Sequence, residues 1–170
     1  MKLTSFSITN FRSITSAHKI LLSNISTIVG KNNEWKSNIL KALNISMSIL
    51  KRHWINKKPA IYKPRIRPED SEYNWERDFP VTFKNSRRSK NTVFRLEFSL
   101  SEIEILEFYK KTDRYVNGSL LIEIQIDVNN VPTDSIIKSW KGAKQWFWSK
   151  TQAIAEYIVS HISFTYIPAI

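Results

Sequence analysis

The sequence contains no cysteine. That excludes a disulfide framework, a thiolate metal site and a cysteine nucleophile, and it fits a reducing compartment. Only 3 glycines occur among 170 residues, which rules out collagen-like repeats and glycine-linker architectures. No apolar run approaches the ~18 residues that a membrane-spanning helix needs. Met1 to Asn10 is too polar for the core of a secretory leader. A soluble, cytoplasmic protein without membrane contact is therefore expected. Negative charge is also scarce: 26 Lys and Arg face 15 Asp and Glu, for a formal net charge of +11. Such a balance predicts an anionic partner: nucleic acid, nucleotide or anionic lipid. A hydrophobic share of 42% is enough for one domain with its own core.

Periodicity orders the chain. Leu3, Phe6, Ile8 and Phe11 lie among polar residues in a largely alternating pattern, as in a half-buried strand. Lys19 to Gly30 has a polar dip at Ser23-Asn24 and then a β-branched run. It reads as a strand pair whose second member is buried and ends at Gly30. From Lys36 to Lys51, Ile39, Leu40, Leu43, Met47 and Leu50 fall at helical spacing. Strands are expected over Val93–Leu100 and Leu120–Val128, with a turn at Asn117-Gly118. Ser99 with Glu102, or Ser101 with Glu104, would cap a helix reaching about Lys111. Ser135 to His161 has a helical pattern and Ile162 to Ile167 reads as a last strand. The chain stops at Pro168-Ala169-Ile170, directly after that apolar stretch, which points to truncation of a longer protein.

The segment with the most specific chemistry is Gly30-Lys31-Asn32-Asn33-Glu34-Trp35-Lys36-Ser37. It nearly matches the phosphate-binding loop G-x-x-x-x-G-K-[ST]. In that motif a strand delivers the chain and backbone N–H groups wrap the phosphates. The following helix aims its positive N-terminus at them. Lys36 would reach the β- and γ-phosphates of ATP, and the Ser37 hydroxyl would ligate Mg²⁺. Trp35 stands where the motif has its second glycine. The backbone approaches the phosphates closely there, so a Cβ and an indole are expected to weaken or abolish nucleotide binding. The plain alternative is a strand-to-helix connection that carries lysines.

Three stretches together resemble the amino-terminal lobe of SMC/RecF-type ABC ATPases, and within these the OLD family of ATP-dependent endonucleases. They are Ile8-Thr9-Asn10-Phe11-Arg12-Ser13-Ile14, Ile28-Val29-Gly30-Lys31-Asn32-Asn33-Glu34 and Lys36-Ser37-Asn38-Ile39-Leu40-Lys41-Ala42-Leu43. Tyr73 to Pro80 and Phe164 to Ile170 are looser matches to the same family. The resemblance implies an α/β (α+β) fold. It would be the N-terminal lobe of a P-loop NTPase of ABC or AAA type, a mixed sheet with an antiparallel strand subdomain and flanking helices. Residues 1–170 would form the N-terminal part of that ATPase domain, with 51–92 as a basic, proline-containing insertion. It implies ATP with Mg²⁺, a homo-oligomeric partner or a missing C-terminal half, and a role on DNA in phage defence or repair. By motif match, Gly30, Asn32, Asn33, Lys36, Ser37 and Asn38 map to the phosphate and Mg²⁺ site. Arg12 maps to the basic residue near the nucleotide. No LSGGQ-like signature, no apolar run ending in paired acids and no Toprim acidic cluster is present. The chain alone is therefore expected to be inactive as a nuclease and to contain no catalytic residue.

Residues 51–95 hold thirteen Lys and Arg against five Asp and Glu, and four of the six prolines. Lys51, Arg52, Lys57, Lys58, Lys63, Arg65 and Arg67 interleave with His53, Trp54 and Tyr62. Phosphate contacts combined with aromatic stacking suit sequence-tolerant DNA binding. A solvated loop balanced by Glu69, Asp70 and Glu72 is the other reading. The same two readings apply to Lys84, Arg87, Arg88 and Lys90. His18, His53 and His161 lie far apart without paired ligands, so no metal site is expected from them. Trp140, Trp146, Phe147 and Trp148 crowd one expected helix. Trp146 and Trp148 would point about 200° apart on it, so part of it should meet another domain or subunit. A second functional reading therefore stays open: a non-catalytic ATPase-derived fragment that binds DNA or a protein partner through its basic surface.

Overall fold

The computed structural model describes residues 1–29, 35–55, 73–86, 89–137 and 151–167. Five strands form one sheet: β1 (Lys2–Phe11), β2 (Ile14–Leu21), β3 (Thr92–Ser99), β4 (Ser119–Ile126) and β5 (Pro132–Ile137). Their spatial order is β2-β1-β3-β4-β5. Every pairing among the described residues is antiparallel. This is the antiparallel subdomain of the expected lobe, with helices flanking it. The helices are α1 (Trp35–Ile55), the single-turn α2 (Trp75–Asp78), α3 (Glu102–Thr112) and α4 (Thr151–His161).

Alternation explains the core. Phe6, Ile8 and Phe11 of β1, Phe94, Leu96 and Phe98 of β3, and Ile122, Ile124 and Ile126 of β4 are all buried. On each strand the i, i+2 spacing points these side chains to one face, and Asn10, at φ +56°, breaks the alternation in β1 so that Phe11 joins Phe6 and Ile8 in the core. Against that face lie Ile39, Ala42, Ile45 and Met47 of α1 and Ile154, Tyr157 and Ile158 of α4. Phe94 meets Phe11 edge to face at 5.6 Å and Phe6 in a stack at 6.2 Å. The other face is polar and self-neutralising. Ser5 donates to Glu97 at 2.6 Å, Lys19 faces the same carboxylate at 3.6 Å, and Arg95 pairs with Glu123 at 2.6 Å. Ser101 and Glu104 form the capping box of α3, and Gly118, at φ +73°, makes the turn into β4.

Three expectations change. The run Ile25–Val29 is not a strand, and Ile25 and Val29 are 87% and 82% exposed. A buried strand needs a ladder partner for its N–H and C=O groups, and among the described residues β1 to β5 pair only with one another. Ser135–Ile137 belongs to β5 rather than to a helix: the β4 ladder overrides the local helical spacing, with Ile136 and Ile137 opposite Ile122 and Leu121. Pro132 begins this edge strand, a position where a missing N–H costs little. Ile162–Ile167 forms no strand either. The Phe164 carbonyl instead accepts a hydrogen bond from Lys51 Nζ at 2.8 Å, which ties this segment to α1. Trp140, Trp146, Phe147 and Trp148 lie outside the described residues.

Candidate anion-binding site

β1 and β2 are joined by the two-residue turn Arg12-Ser13, with Phe11 opposite Ile14. Arg12 adopts φ +50°, a left-handed conformation that costs an L-residue about 1–2 kcal/mol. A second segment offsets that strain. The Arg12 main-chain N–H donates to the Asp78 carbonyl at 2.6 Å, and its Nε donates to Asp78 Oδ1 at 2.8 Å. One residue thus grips both the backbone and the side chain of Arg12.

Local chemistry holds Asp78 in place. It ends α2, which is capped by Asn74. Trp75 and Phe79 stack at 5.0 Å across this turn, and Trp75 Nε1 donates to the Lys90 carbonyl at 3.0 Å. The Tyr73 and Thr92 hydroxyls meet at 2.6 Å, which anchors the segment to the start of β3. The Asp78 side chain is fully buried. Besides Arg12, it accepts from Arg77 through both oxygens, at 3.0 and 2.7 Å, and from the Asn74 N–H at 2.9 Å. Burial acts to raise its pKa, but the hydrogen bonds from Arg77, Asn74 and Arg12 and the Arg12 charge outweigh it, and the carboxyl stays below its ordinary range. Two guanidinium groups share one carboxylate here, each through charge-assisted hydrogen bonds.

The first turn of α1 completes the arrangement. It carries no acidic residue. Asn38, only 2% exposed, donates its amide to Ser13 Oγ at 3.0 Å and accepts from an Arg12 Nη at 3.4 Å. It therefore laces the hairpin turn to the start of the helix. Ser37 is exposed in that turn, and Lys36 is half-buried. Trp35 opens the helix with its side chain packed against the core, and it is not among the residues with positive φ. An open cleft of ≈ 640 Å³ beside this cluster is lined by Arg12, Ser13, Thr15, Arg77 and Thr82, among others. No described residue of α1 lines this cleft; separately, the acid-free first turn of α1 beside the fixed Arg12 guanidinium suits a phosphate-bearing anion.

Of the residues expected from sequence, the structure brings Arg12 and Asn38 into contact and puts Lys36 and Ser37 on the same helical turn. Gly30, Asn32 and Asn33 lie outside the described residues, as do Lys57, Lys58, Lys63, Arg65 and Arg67. Lys51 and Arg52 sit near the other end of α1, with Lys51 about 21 Å from Ser37 at 1.5 Å per residue. The Lys51 ammonium bonds the Phe164 carbonyl and lies 5.6 Å over its ring, whereas Arg52 is exposed. Sequence reasoning noted Tyr73 to Pro80 only for its resemblance and missed the role of Asp78. Its signal was an acid flanked by the aromatic residues Trp75 and Phe79 within a basic stretch.

Residues 1–162 match a family model described as an AAA ATPase domain. No curated protein matches the chain. One solved structure, from work on "ATP-driven dimerization and DNA stimulated activation of SMC ATPases", superposes with a TM-score of 0.55 at 14% identity. The alignment covers 94% of this chain and 78% of that one. At that identity the likeness is one of fold.

Proposed function

The chain belongs to the AAA ATPase domain family, and from that premise we propose that it is the ATP-binding module of an OLD-like ATPase acting on DNA. The fold is that of an SMC-type ATPase lobe, and family membership implies ATP with Mg²⁺. One observation carries the site assignment: Asn38 fastens the Arg12 turn to the acid-free first turn of α1. The described residues thus fit a triphosphate. Lys36 and Arg12 would neutralise its charge, the first-turn N–H groups of α1 would donate to its oxygens, and Ser37 would hold Mg²⁺. Gly30, Asn32 and Asn33 would complete the loop. Bound Mg²⁺ supplies charge neutralisation at the β- and γ-phosphates.

Trp35 weakens this binding in the proposed reading. Its backbone is unstrained and its ring is occupied by the core, so the obstruction comes from a Cβ at the point of closest approach rather than from a distorted helix start. The family's role on DNA, with its phage-defence or repair setting, rests on the resemblance and on the charge of residues 51–95. The polar face of the sheet pairs its own charges, and the proposed DNA contact rests on the basic composition of residues 51–95. The reading places the whole chain as the N-terminal part of the ATPase domain, with 51–92 as its basic insertion. Dimerisation around ATP belongs to the same reading.

Calorimetric titration of Mg-ATP into the chain and into Trp35→Gly tests it. The variant binds more tightly, and Arg12→Ala in that background loses about tenfold, as expected for one charge-assisted hydrogen bond. Absence of binding in Trp35→Gly, or indifference to Arg12, rejects the assignment.

A further inference from the structure

We propose that Asp78 is a positioning residue of the nucleotide site, setting the Arg12 guanidinium at the first turn of α1; this rests on the ATP-binding reading above. Asp78 holds Arg12 twice, through its carbonyl at 2.6 Å and its carboxylate at 2.8 Å. The side-chain bond takes only Nε, the inner donor of the fork. Nη1 reaches the α1 end, where it donates to Asn38 at 3.4 Å. An arginine in water samples many rotamers, and fixing it beforehand spares that entropy on binding. Arg77 supplies the second partner that a buried carboxylate requires. It also takes both oxygens of the carboxylate, so Asp78 divides its charge between Arg12 and Arg77. A carboxylate facing Arg12 alone would leave a neutral pair and a poorer anion site. The contacts that hold Asp78, from Asn74 and the Trp75–Phe79 stack, come from its own segment. The clamp is thus built independently of the helix it serves.

A double-mutant cycle separates positioning from a merely structural role. In the Trp35→Gly background, Mg-ATP affinity and thermal midpoint are measured for Arg12→Ala, Asp78→Asn and the pair. The expected result is a five- to tenfold loss of affinity for either single variant and no further loss in the double. The melting midpoint falls with Asp78→Asn in both backgrounds. If Asp78→Asn weakens binding equally with and without Arg12, Asp78 acts only through the fold and the inference is overturned. Should Asp78→Asn not fold, Asp78→Glu keeps the charge but moves the carboxylate by one methylene. Weaker binding by that folded variant supports positioning, and unchanged affinity overturns it. If the Trp35→Gly parent binds no Mg-ATP at all, the functional reading fails and this inference with it.

Discussion

Replacing Trp35 by glycine sets two effects against each other, and their sizes follow from its place in the structure. The indole packs largely buried against the core at the first position of α1. Full removal of a buried Trp side chain costs about 3–5 kcal/mol, so for this largely buried ring the loss is about 3 kcal/mol. Glycine adds at most about 1 kcal/mol of helix propensity, less at a terminal position. For a domain of this size each kcal/mol lowers Tm by about 2–4 °C, so the ligand-free variant should melt about 6–16 °C below the parent. Nucleotide should act in the opposite direction. At a concentration about 100 times Kd, Mg-ATP stabilises by about 2.7 kcal/mol, enough to restore most of that loss. The parent, with an affinity about a hundredfold weaker, would gain about 0.4 kcal/mol at the same concentration, a shift of about 1–2 °C. Differential scanning fluorimetry with and without Mg-ATP reads both effects. Equal ligand shifts in the two proteins would refute the claim that Trp35 obstructs the site. An unchanged ligand-free midpoint would refute the packing argument.

Ser101→Ala removes the capping box of α3 and should cost about 1 kcal/mol, a drop of about 2–4 °C in Tm; no change would mean that the cap is redundant. Burial, reinforced by the nearby Asp78 charge and only partly opposed by the Thr92 hydrogen bond, pushes the Tyr73 phenol up to about 12. The folded state therefore holds this proton more tightly than the unfolded state. The contribution is intact below pH 10.0 and is lost as pH rises toward about 12. Tyr73→Phe should flatten that alkaline decline in a chemical-denaturation series. Neutralising Lys57 and Lys58 together should weaken DNA binding and reduce the slope of log K against log salt by about 2; an unchanged slope would remove the basic stretch from the interface.

Much of the scaffold was legible because its signals are local. β1, β3 and β4 alternate apolar and polar residues, and α1 repeats its apolar residues every three to four positions. Each pattern follows from where a side chain points along its own element. The Ser101–Glu104 cap spans three residues and was likewise visible, as was the unusual Trp35 in the loop motif. β5 was not legible, because Pro132–Ile137 becomes a strand only through its pairing with β4. The run Ile25–Val29 looked like a buried strand, but composition cannot supply a ladder partner. The Arg12–Asp78 clamp was hidden for the same reason, since its two ends lie 66 positions apart. Sequence by itself determined β1, β3, β4 and α1, the charge balance and the likeness to an AAA-type ATPase. Tertiary structure alone decided which acid holds Arg12 and that Asn38 ties its turn to α1, because hydrogen bonds between distant segments exist only after the chain has closed on itself.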